Sequence, residues 1–356
     1  MARPLAAAPS SSAKRPRTLS EHVTIVVVLV AVMFGAQWLV HPLGASHVRQ
    51  ARDVDPLRAS DVMHYADGST VTLVELIQRS GTDSGDEEEG PVDISLVVPA
   101  YNEEVRLPVM LRKTLPFLEQ WSAEDKLRYE VIVVDDGSRD ATVRVALAHA
   151  AQLSSPWALA VLKLAGNRGK GGAVKQGVKA ARGKYVLMVD ADGATDITAL
   201  PRLYREVRRI EQVKSEVTGS TEPVGITIGS RAHLVEKSVA TRAFYRTVLM
   251  KGFHLLVTVL CTKNIRDTQC GFKLFTRGAA KLLFNALHLE SWAFDIELIY
   301  LAERLGIPMS EVAVKWEEVD GSKLIQSKLD VVFTSLNMAR DMLAVRVAYI
   351  VVLWKV

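Results

Sequence analysis

Two aspartates, Asp190 and Asp192, follow an apolar run at once in the stretch YVLMVDADGATD (185–196). Carboxylate oxygens suit Mg²⁺ or Mn²⁺, and such ions complete their shell with water and ligand phosphates. We predict a metal site at this pair, in which Asp192 binds the ion and Asp190 holds a ribose hydroxyl or a metal-bound water. The alternative is a solvated turn with two capping residues.

The apolar run is one of several short strands that alternate with longer helical stretches. The strands are ISLVVPA (94–100), YEVIVVDD (129–136), ALAVLKL (158–164) and KYVLMVDAD (184–192). Near-continuous apolar strands between helices predict an α/β fold with a mostly parallel central sheet that is covered on both faces. Ligands of such sheets bind beyond the carboxyl ends of the strands.

Polar residues follow each of these strands, which predicts a single site at this edge of the sheet. They are Asn102, Glu103 and Glu104 after the first strand, Asp135 and Asp136 at the end of the second, and Asn167 to Gly172 after the third.

The turn GNRGKGGA (166–173) is rich in glycine and precedes a helical pattern. It fits neither GxGxxG nor GxxxxGK, which argues against dinucleotide and P-loop sites. With Arg168 and Lys170 it suits an anionic ligand at a helix N-terminus. A plain loop with glycine caps is the alternative.

The composition limits the class of protein. Apolar residues make up 49% of 356 residues, and the net charge of +4 is spread along the chain, which argues against a nucleic-acid binder. Two cysteines, Cys261 and Cys270, cannot make a disulfide framework. This is typical of a catalytic domain in a reducing compartment.

An apolar segment without charges, residues 23–40, follows a basic tail, residues 1–22. Its 18 residues would span about 27 Å as a helix, close to the thickness of the hydrocarbon core. We predict a transmembrane anchor, with a cleaved signal peptide as the alternative. Arginines on both sides leave its orientation open.

The remaining segments complete the predicted organisation. Residues 41–93 are predicted to be a membrane-proximal connector that ends in an acidic linker, and residues 94–320 the catalytic domain. The apolar tail, residues 321–356, carries Arg346 and is predicted to be an amphipathic, membrane-associated segment. Its last part lies along the bilayer surface or packs on the domain.

Four ordered motifs, ISLVVPAYNEE, VIVVDDGSRDAT, NRGKGGAV and DADG, resemble glycosyltransferase family 2 with its nucleotide-sugar-binding GT-A fold. Later motifs are similar to those of its polyprenyl-phosphate branch: GSR (229–231), RAFYR (242–246), DTQCGFKLF (267–275) and WAFDIEL (292–298). The QxxRW signature of processive members is missing from the sequence, so a polysaccharide synthase is not expected.

The resemblance implies a reaction, and the fold and cofactor that serve it. Glucose would pass from UDP-glucose to dolichyl phosphate with inversion, for protein N-glycosylation, with Mg²⁺ or Mn²⁺ as cofactor. The alternatives are transfer of mannose from GDP-mannose and a non-catalytic scaffold that binds nucleotide sugars.

The resemblance also implies roles for individual residues. Asp190 and Asp192 would bind the metal and, through it, the diphosphate. Asp295 would orient the acceptor side, unless it only caps a helix. The expected substrate-binding residues are Pro99, Tyr101, Glu103, Asp135 and Asp136 around uracil and ribose, Lys170 beside the nucleotide, and Asp267 and Gln269 in the sugar pocket.

A phosphate acceptor is already anionic, so its reaction depends more on orientation and partial neutralisation of the phosphate than on a general base that removes a proton. The candidate cations are Arg231, Arg242, Arg246 and Lys251, because the arginine fork matches phosphate oxygens. A solvated charge is the alternative for each. The apolar face of residues 244–260 would admit a polyprenyl chain, although core packing explains it equally well.

The expected location follows from the donor. Nucleotide sugars are made in the cytosol, and the domain lacks a disulfide pattern. We therefore predict a single-pass protein of the endoplasmic reticulum membrane whose catalytic domain faces the cytosol. The compartment itself is implied by the resemblance.

Overall fold

A computed structural model describes residues 60–81, 92–155, 157–213, 222–233, 262, 264–319 and 328–350. The predicted tail, anchor and apolar helical stretch, residues 1–22, 23–40 and 240–260, lie outside the described residues. Within the described part of the chain, no helix is long and apolar enough to cross a membrane.

The described strands are β1 (Val62–His64), β2 (Thr70–Thr72), β3 (Ile94–Ala100), β4 (Tyr129–Asp135), β5 (Leu159–Lys163), β6 (Tyr185–Met188), β7 (Gln212–Val213), β8 (Pro223–Val224), β9 (Ile226–Ser230), β10 (Lys273–Thr276) and β11 (Met309–Ala313). The described α-helices are α1 (Leu73–Gly81), α2 (Arg106–Asp125), α3 (Thr142–Ala150), α4 (Gly169–Ala180), α5 (Leu200–Ile210), α6 (Arg277–Ala286), α7 (Phe294–Arg304) and α8 (Lys328–Ile350).

Nine of these strands form one sheet in the order β11-β9-β10-β6-β3-β4-β5-β1-β2. The four strands predicted from the apolar runs, β3 to β6, are parallel neighbours. The sheet as a whole is mixed, because β10 runs antiparallel to β6 and β9, and β1 runs antiparallel to β5 and β2. The predicted parallel pairing therefore holds for the centre of the sheet and for β9 with β11, and it fails where β10 and β1 are inserted.

Helices cover the sheet on both faces, and each layer has its own apolar core. One core packs α4, α6 and α7 against the sheet, with Val97, Val134 and Met188 at its centre. The other packs α2, α3 and α5 on the opposite face. Helix α4 lies especially close to the sheet, since a Cβ at Gly177 would come 2.4 Å from a methyl group of Val97.

The register of the central strands aligns their carboxyl ends. Ala100 is opposite Asp135, and Asp135 is opposite Lys163. Met188 is opposite Val97, so β6 ends slightly earlier and its following residues, from Val189 onward, reach the same edge. The polar residues after the strands are therefore brought together as predicted.

Two segments outside the predicted strand pattern also join this unit. The hairpin of β1 and β2 extends the sheet at β5, within the predicted connector. Helix α8, in the predicted membrane-associated tail, packs on the domain: Met342, Val345 and Tyr349 are buried, and Tyr349 donates a hydrogen bond to Glu297 (2.9 Å). The membrane association predicted for the tail stays a prediction.

Candidate functional site

The two aspartates after β6 have different surroundings. The Lys170 ammonium lies 2.6 Å from Asp190 Oδ1 and also faces the ring of Trp292, 5.6 Å from its centroid. Asp192 accepts the Ala194 N–H on Oδ1 (3.0 Å), and its Oδ2 lies 3.9 Å from the Arg106 guanidinium. Asp190 is thus closely paired with a cation, whereas Asp192 is not.

The electrostatics of the two carboxylates differ accordingly. Burial would raise the pKa of Asp190, but the charges of Lys170, Lys273 and Arg231 together more than offset this and the pKa is lowered. Burial raises the pKa of Asp192, and the neighbouring charge of Asp190 raises it further. Arg106 neutralises the charge of Asp192 only weakly, because its guanidinium forms a two-point pair with Glu103 (2.7 and 2.5 Å). Of the two carboxylates, Asp192 is therefore the one whose negative charge is less neutralised.

This pair fits a hard divalent cation. The side chains of Asp190 and Asp192 are 35% and 28% exposed, so each carboxylate can be reached from solvent, although Asp190 Oδ1 itself is buried. The described residues contain no cluster of three or more histidine, cysteine, aspartate or glutamate side chains suited to a metal. Two carboxylates suffice for Mg²⁺ or Mn²⁺ when water and a diphosphate supply the remaining oxygens.

Gly271, a residue that the sequence analysis did not single out, packs against Asp190. A Cβ at this position would lie 2.1 Å from Asp190 Oδ2 and 2.4 Å from its carboxyl carbon. Only glycine therefore lets the chain pass the carboxylate at this distance. The glycine was visible in the motif DTQCGFKLF, but nothing in a linear sequence indicates that it contacts Asp190.

The expected nucleotide-binding residues lie at the ends of β3 and β4. Pro99 is half-buried and Tyr101 is exposed, and the Glu103 backbone donates to Thr142 Oγ1 (2.7 Å). Asp135 is fully buried, and its Oδ1 accepts the Ser138 N–H (3.2 Å). Its Oδ2 is buried and accepts no hydrogen bond from the described residues. A buried acceptor without a donor suits a ligand N–H or O–H.

Asp136 has a different task from its neighbour. Its two oxygens accept the backbone N–H groups of Arg168 (2.6 Å) and Gly169 (2.9 Å), at the start of α4. Burial raises the pKa of Asp136 to about 7, and these two donors oppose the rise. Asp136 therefore accepts the first N–H groups of this helix, and the anionic ligand suggested by the sequence stays a prediction.

The glycines of the turn serve close packing. Gly169 has a φ of +83°, and a Cβ there would lie 2.6 Å from the Glu290 carbonyl oxygen. A Cβ at Gly171 would lie 2.8 Å from the Leu289 carbonyl oxygen, and the Gly172 N–H donates to Glu290 (3.1 Å). The turn is thus pressed against the segment that precedes α7.

Arg168 is also committed to the fold. Its guanidinium donates to Asp61 Oδ2 (2.6 Å), and both side chains are buried. Asp61 Oδ1 accepts the Ala165 N–H as well (2.9 Å). Of the two cations in the turn, Lys170 is the one that reaches the acid pair.

Arg231 follows β9 at the same edge of the sheet. It forms a two-point pair with Asp267 (both 2.8 Å) and faces the ring of Trp316 at 5.5 Å. Gln269 is half-buried, and its side chain contacts Met338 of α8 (3.7 Å). The other predicted phosphate-binding cations, Arg242, Arg246 and Lys251, lie outside the described residues.

Asp295, in the first turn of α7, is buried and faces Lys273. The Lys273 ammonium lies 2.5 Å from Asp295 Oδ1 and donates to the Cys270 carbonyl oxygen (2.6 Å). The sequence analysis did not identify Lys273, although a lysine at the start of the apolar strand KLFT was a visible irregularity. The role predicted for Asp295 at the acceptor stays a prediction.

Glu297, also in α7, secures the segment that backs the glycine turn. This fully buried carboxylate accepts the N–H groups of His288 (3.0 Å) and Leu289 (2.7 Å) and the Tyr349 hydroxyl (2.9 Å). Helix α8 is thereby connected to the residues that contact Gly169 and Gly171.

Comparisons with known proteins agree on one family. A profile described as Glycosyl transferase family 2 matches residues 95–284, just over half of the chain. A dolichyl-phosphate beta-glucosyltransferase of Drosophila melanogaster is 49% identical, over 76% of this chain and 79% of its own. One of the same name from Dictyostelium discoideum is 46% identical, over 76% and 80%.

Solved structures with a similar arrangement are more distant. A glucosyl-3-phosphoglycerate synthase from Mycobacterium tuberculosis, in complex with Mn²⁺, UDP-glucose and phosphoglyceric acid, is 20% identical with a TM-score of 0.46. The match covers 78% of this chain and 84% of that one.

Proposed function

The chain belongs to glycosyltransferase family 2, with the GT-A fold, and within it to the dolichyl-phosphate β-glucosyltransferases, and we propose that it transfers glucose from UDP-glucose to dolichyl phosphate. The observation that carries the proposal is the acid pair after β6. It stands beside Lys170 at an edge where Asp135 keeps a buried acceptor.

The donor would lie across the carboxyl ends of β3, β4 and β6. Asp135 Oδ2 is suited to a donor group of the base or ribose, and Pro99, Tyr101 and Glu103 line the approach to it. Asp190 and Asp192 would hold Mg²⁺ or Mn²⁺, which when bound neutralises charge on the leaving diphosphate. The ammonium of Lys170, 2.6 Å from Asp190, would add its positive charge to that of the metal.

The acceptor phosphate would attack the anomeric carbon from the face opposite UDP. The new bond joins a phosphate oxygen to that carbon while its bond to the diphosphate breaks, so an α-linked donor gives a β-linked product. The phosphate is already anionic and needs no general base. Arg231, at the end of β9, is our candidate for aiming it, with Arg242 and Arg246 as further candidates.

Two further assignments complete the proposal. The sugar pocket would include Asp267 and Gln269. The resemblance implies that Asp295 orients the acceptor side, and its pairing with Lys273 leads us to propose below a role on the donor side instead. We also propose that the protein is held at the endoplasmic reticulum membrane by residues 23–40, with the domain in the cytosol where nucleotide sugars are made. The sequence relatives support the lipid acceptor, since their names specify it.

Mannose transfer and a non-catalytic scaffold are not favoured. The similar relatives are named for glucose transfer. A scaffold would not need an intact acid pair with its supporting cation.

The test is a donor comparison with the full chain in detergent, dolichyl phosphate and Mg²⁺. Labelled UDP-glucose and GDP-mannose are supplied separately, and the glycolipid is extracted and counted. We expect label in the lipid from UDP-glucose only. Label from GDP-mannose alone would overturn the donor, and UDP binding without any glycolipid would overturn the reaction.

A further inference from the structure

Lys273 is a fully buried lysine at the start of β10, and the proposed reaction gives it no task. A buried ammonium is costly unless it is paired and hydrogen-bonded. Its two partners are Asp295 Oδ1 (2.5 Å) and the Cys270 carbonyl oxygen (2.6 Å). Cys270 precedes Gly271, which packs on Asp190, and the charge of Asp295 acts on Lys170, the partner of Asp190.

The hydrogen bond to the Cys270 carbonyl connects Lys273 to the backbone behind Asp190. The Cys270 carbonyl belongs to the peptide bond that leads into Gly271, and Gly271 packs on the Asp190 carboxylate. Lys273 is also opposite Met188, the last residue of β6 before the acid pair. One ammonium therefore fixes the chain on which Asp190 rests.

The ion pair with Asp295 keeps the charges of the site in balance. Asp190 pairs with Lys170, Asp267 with Arg231, and Asp295 with Lys273. Lys273 also acts at longer range, because its charge helps to lower the pKa values of Asp190 and Asp267. Asp295 thus keeps a cation in place behind the acid pair.

We propose that Lys273 and Asp295 form a positioning pair that sets the orientation and electrostatic environment of Asp190, so that Asp295 acts through Lys273 on binding of the donor. This deepens the proposed function and rests on it, since the pair would serve the UDP-glucose side of that site. The partners that orient metal-site carboxylates typically change affinity or activity 10–100-fold when removed.

The first test is Asp295→Asn, which keeps the shape of the side chain and an oxygen for Lys273 but removes the counter-charge. UDP affinity is measured by calorimetry in Mg²⁺ without any acceptor. We expect the Kd for UDP to rise about tenfold, with an unchanged KM for dolichyl phosphate. An unchanged Kd for UDP would overturn the inference, whatever happens to the acceptor kinetics.

The second test separates positioning from mere stability. The double variant Lys273→Met, Asp295→Leu removes both charges, and apolar replacement of a buried pair often leaves a fold stable. We expect a melting temperature near that of the wild type together with weakened UDP binding. Wild-type UDP affinity in the folded double variant would show that the two charges only neutralise each other and do not affect the site. If this variant does not fold, the Asp295→Asn measurement decides.

A matched control lies at the opposite ends of the strands. Arg182 pairs with the buried Glu130 (2.9 Å), and Glu130 also accepts from Ser95 (2.5 Å), near the start of β3. Arg182→Met, Glu130→Gln is expected to lower the melting temperature and leave the Kd for UDP unchanged. Equal loss of UDP affinity in this control would count against a specific role for Lys273 and Asp295.

The outcome is independent of the proposed acceptor. If the wild type binds UDP but makes no glucosyl lipid, the proposed function fails while the comparison of Kd values still decides the role of the pair. If the wild type makes the lipid and both variants bind UDP normally, the pair inference alone fails.

Discussion

The acid pair shows how two residues of the same type acquire different properties from their neighbours. Asp190 is held by Lys170 at 2.6 Å, whereas in the described part of the chain the ion-pair partner of Asp192 is Arg106 at 3.9 Å, which also pairs with Glu103. The less neutralised carboxylate is the better ligand for a cation, because it keeps more negative charge for the ion. This is why we place the metal chiefly on Asp192.

Gly271 provides a direct test at the residue scale. Gly271→Ala would force a Cβ into the Asp190 carboxylate, so that this side chain or the backbone must move. A displacement of about 1 Å in a catalytic site can cost about a hundredfold in rate, and we expect a loss of that order in kcat/KM for UDP-glucose.

The control for this prediction is Gly278→Ala in α6. Its Cβ would lie 2.6 Å from the Pro223 carbonyl oxygen, so it also strains the fold. We expect both variants to melt earlier and only Gly271→Ala to lose transfer activity. Equal activity of the two variants would contradict the role given to Gly271.

Single residues could be predicted where one position determines the chemistry. Asp190, Asp192 and Lys170 follow strand ends that the sequence defines, and the structure brings them together. Lys273 and Gly271 could not be predicted, because their importance depends on contacts between β10 and the end of β6. Such contacts are set by tertiary pairing and have no periodic pattern in the chain.

At the scale of elements, helix α4 is positioned by Asp136. This carboxylate receives the first N–H groups of the helix and fixes the turn that presents Lys170. Its pKa is raised by burial to about 7, beside the charges of Asp135 and Arg168. The folded state therefore binds a proton more tightly than the unfolded chain does.

The sign of the resulting pH dependence follows from linkage. Where the folded protein holds more protons, its stability falls as pH rises, here between about pH 4 and pH 7. Asp136→Asn removes this titration. The melting temperature of the wild type relative to the variant should therefore increase as pH is lowered from 8 to 5, as measured by calorimetry. A constant difference across this range would place the pKa of Asp136 near its ordinary value.

Elements were predictable where the pattern is local. The strands β3, β4, β5 and β6 lie within the stretches predicted from apolar runs. The hairpin of β1 and β2 was not predicted, because strands of three residues carry no pattern. The mixed sheet was not predicted either, since the antiparallel insertion of β10 depends on partners far away in sequence.

At the scale of the whole molecule, the segment before the family domain supports the site. Asp61 precedes the residues matched by the family profile, and its carboxylate holds Arg168 of the glycine turn and the N–H of Ala165 just before the turn. Asp61→Asn leaves a buried guanidinium without its counter-charge, which costs about 3 kcal/mol in such pairs. We expect this loss in the free energy of unfolding, together with weaker UDP binding because Lys170 lies in the same turn.

The matched control is Asp67→Asn in the same hairpin. Asp67 is exposed, and its carboxylate accepts the local Ser69 N–H (2.8 Å). Surface changes of this kind stay within about 0.5 kcal/mol, and UDP binding should not change. Denaturant unfolding and calorimetry measure both quantities. Similar behaviour of the two variants would mean that the hairpin does not support the turn.

The most direct test of the proposed reaction is the metal-dependent transfer of label from UDP-glucose to dolichyl phosphate by the wild type and by Asp192→Ala. The assay is run in detergent with Mg²⁺ and with EDTA, and the folded state of the variant is verified by its melting temperature. We predict glucosyl lipid from the wild type with Mg²⁺, and none with EDTA or from the variant. Undiminished transfer by folded Asp192→Ala would contradict the site that we assign.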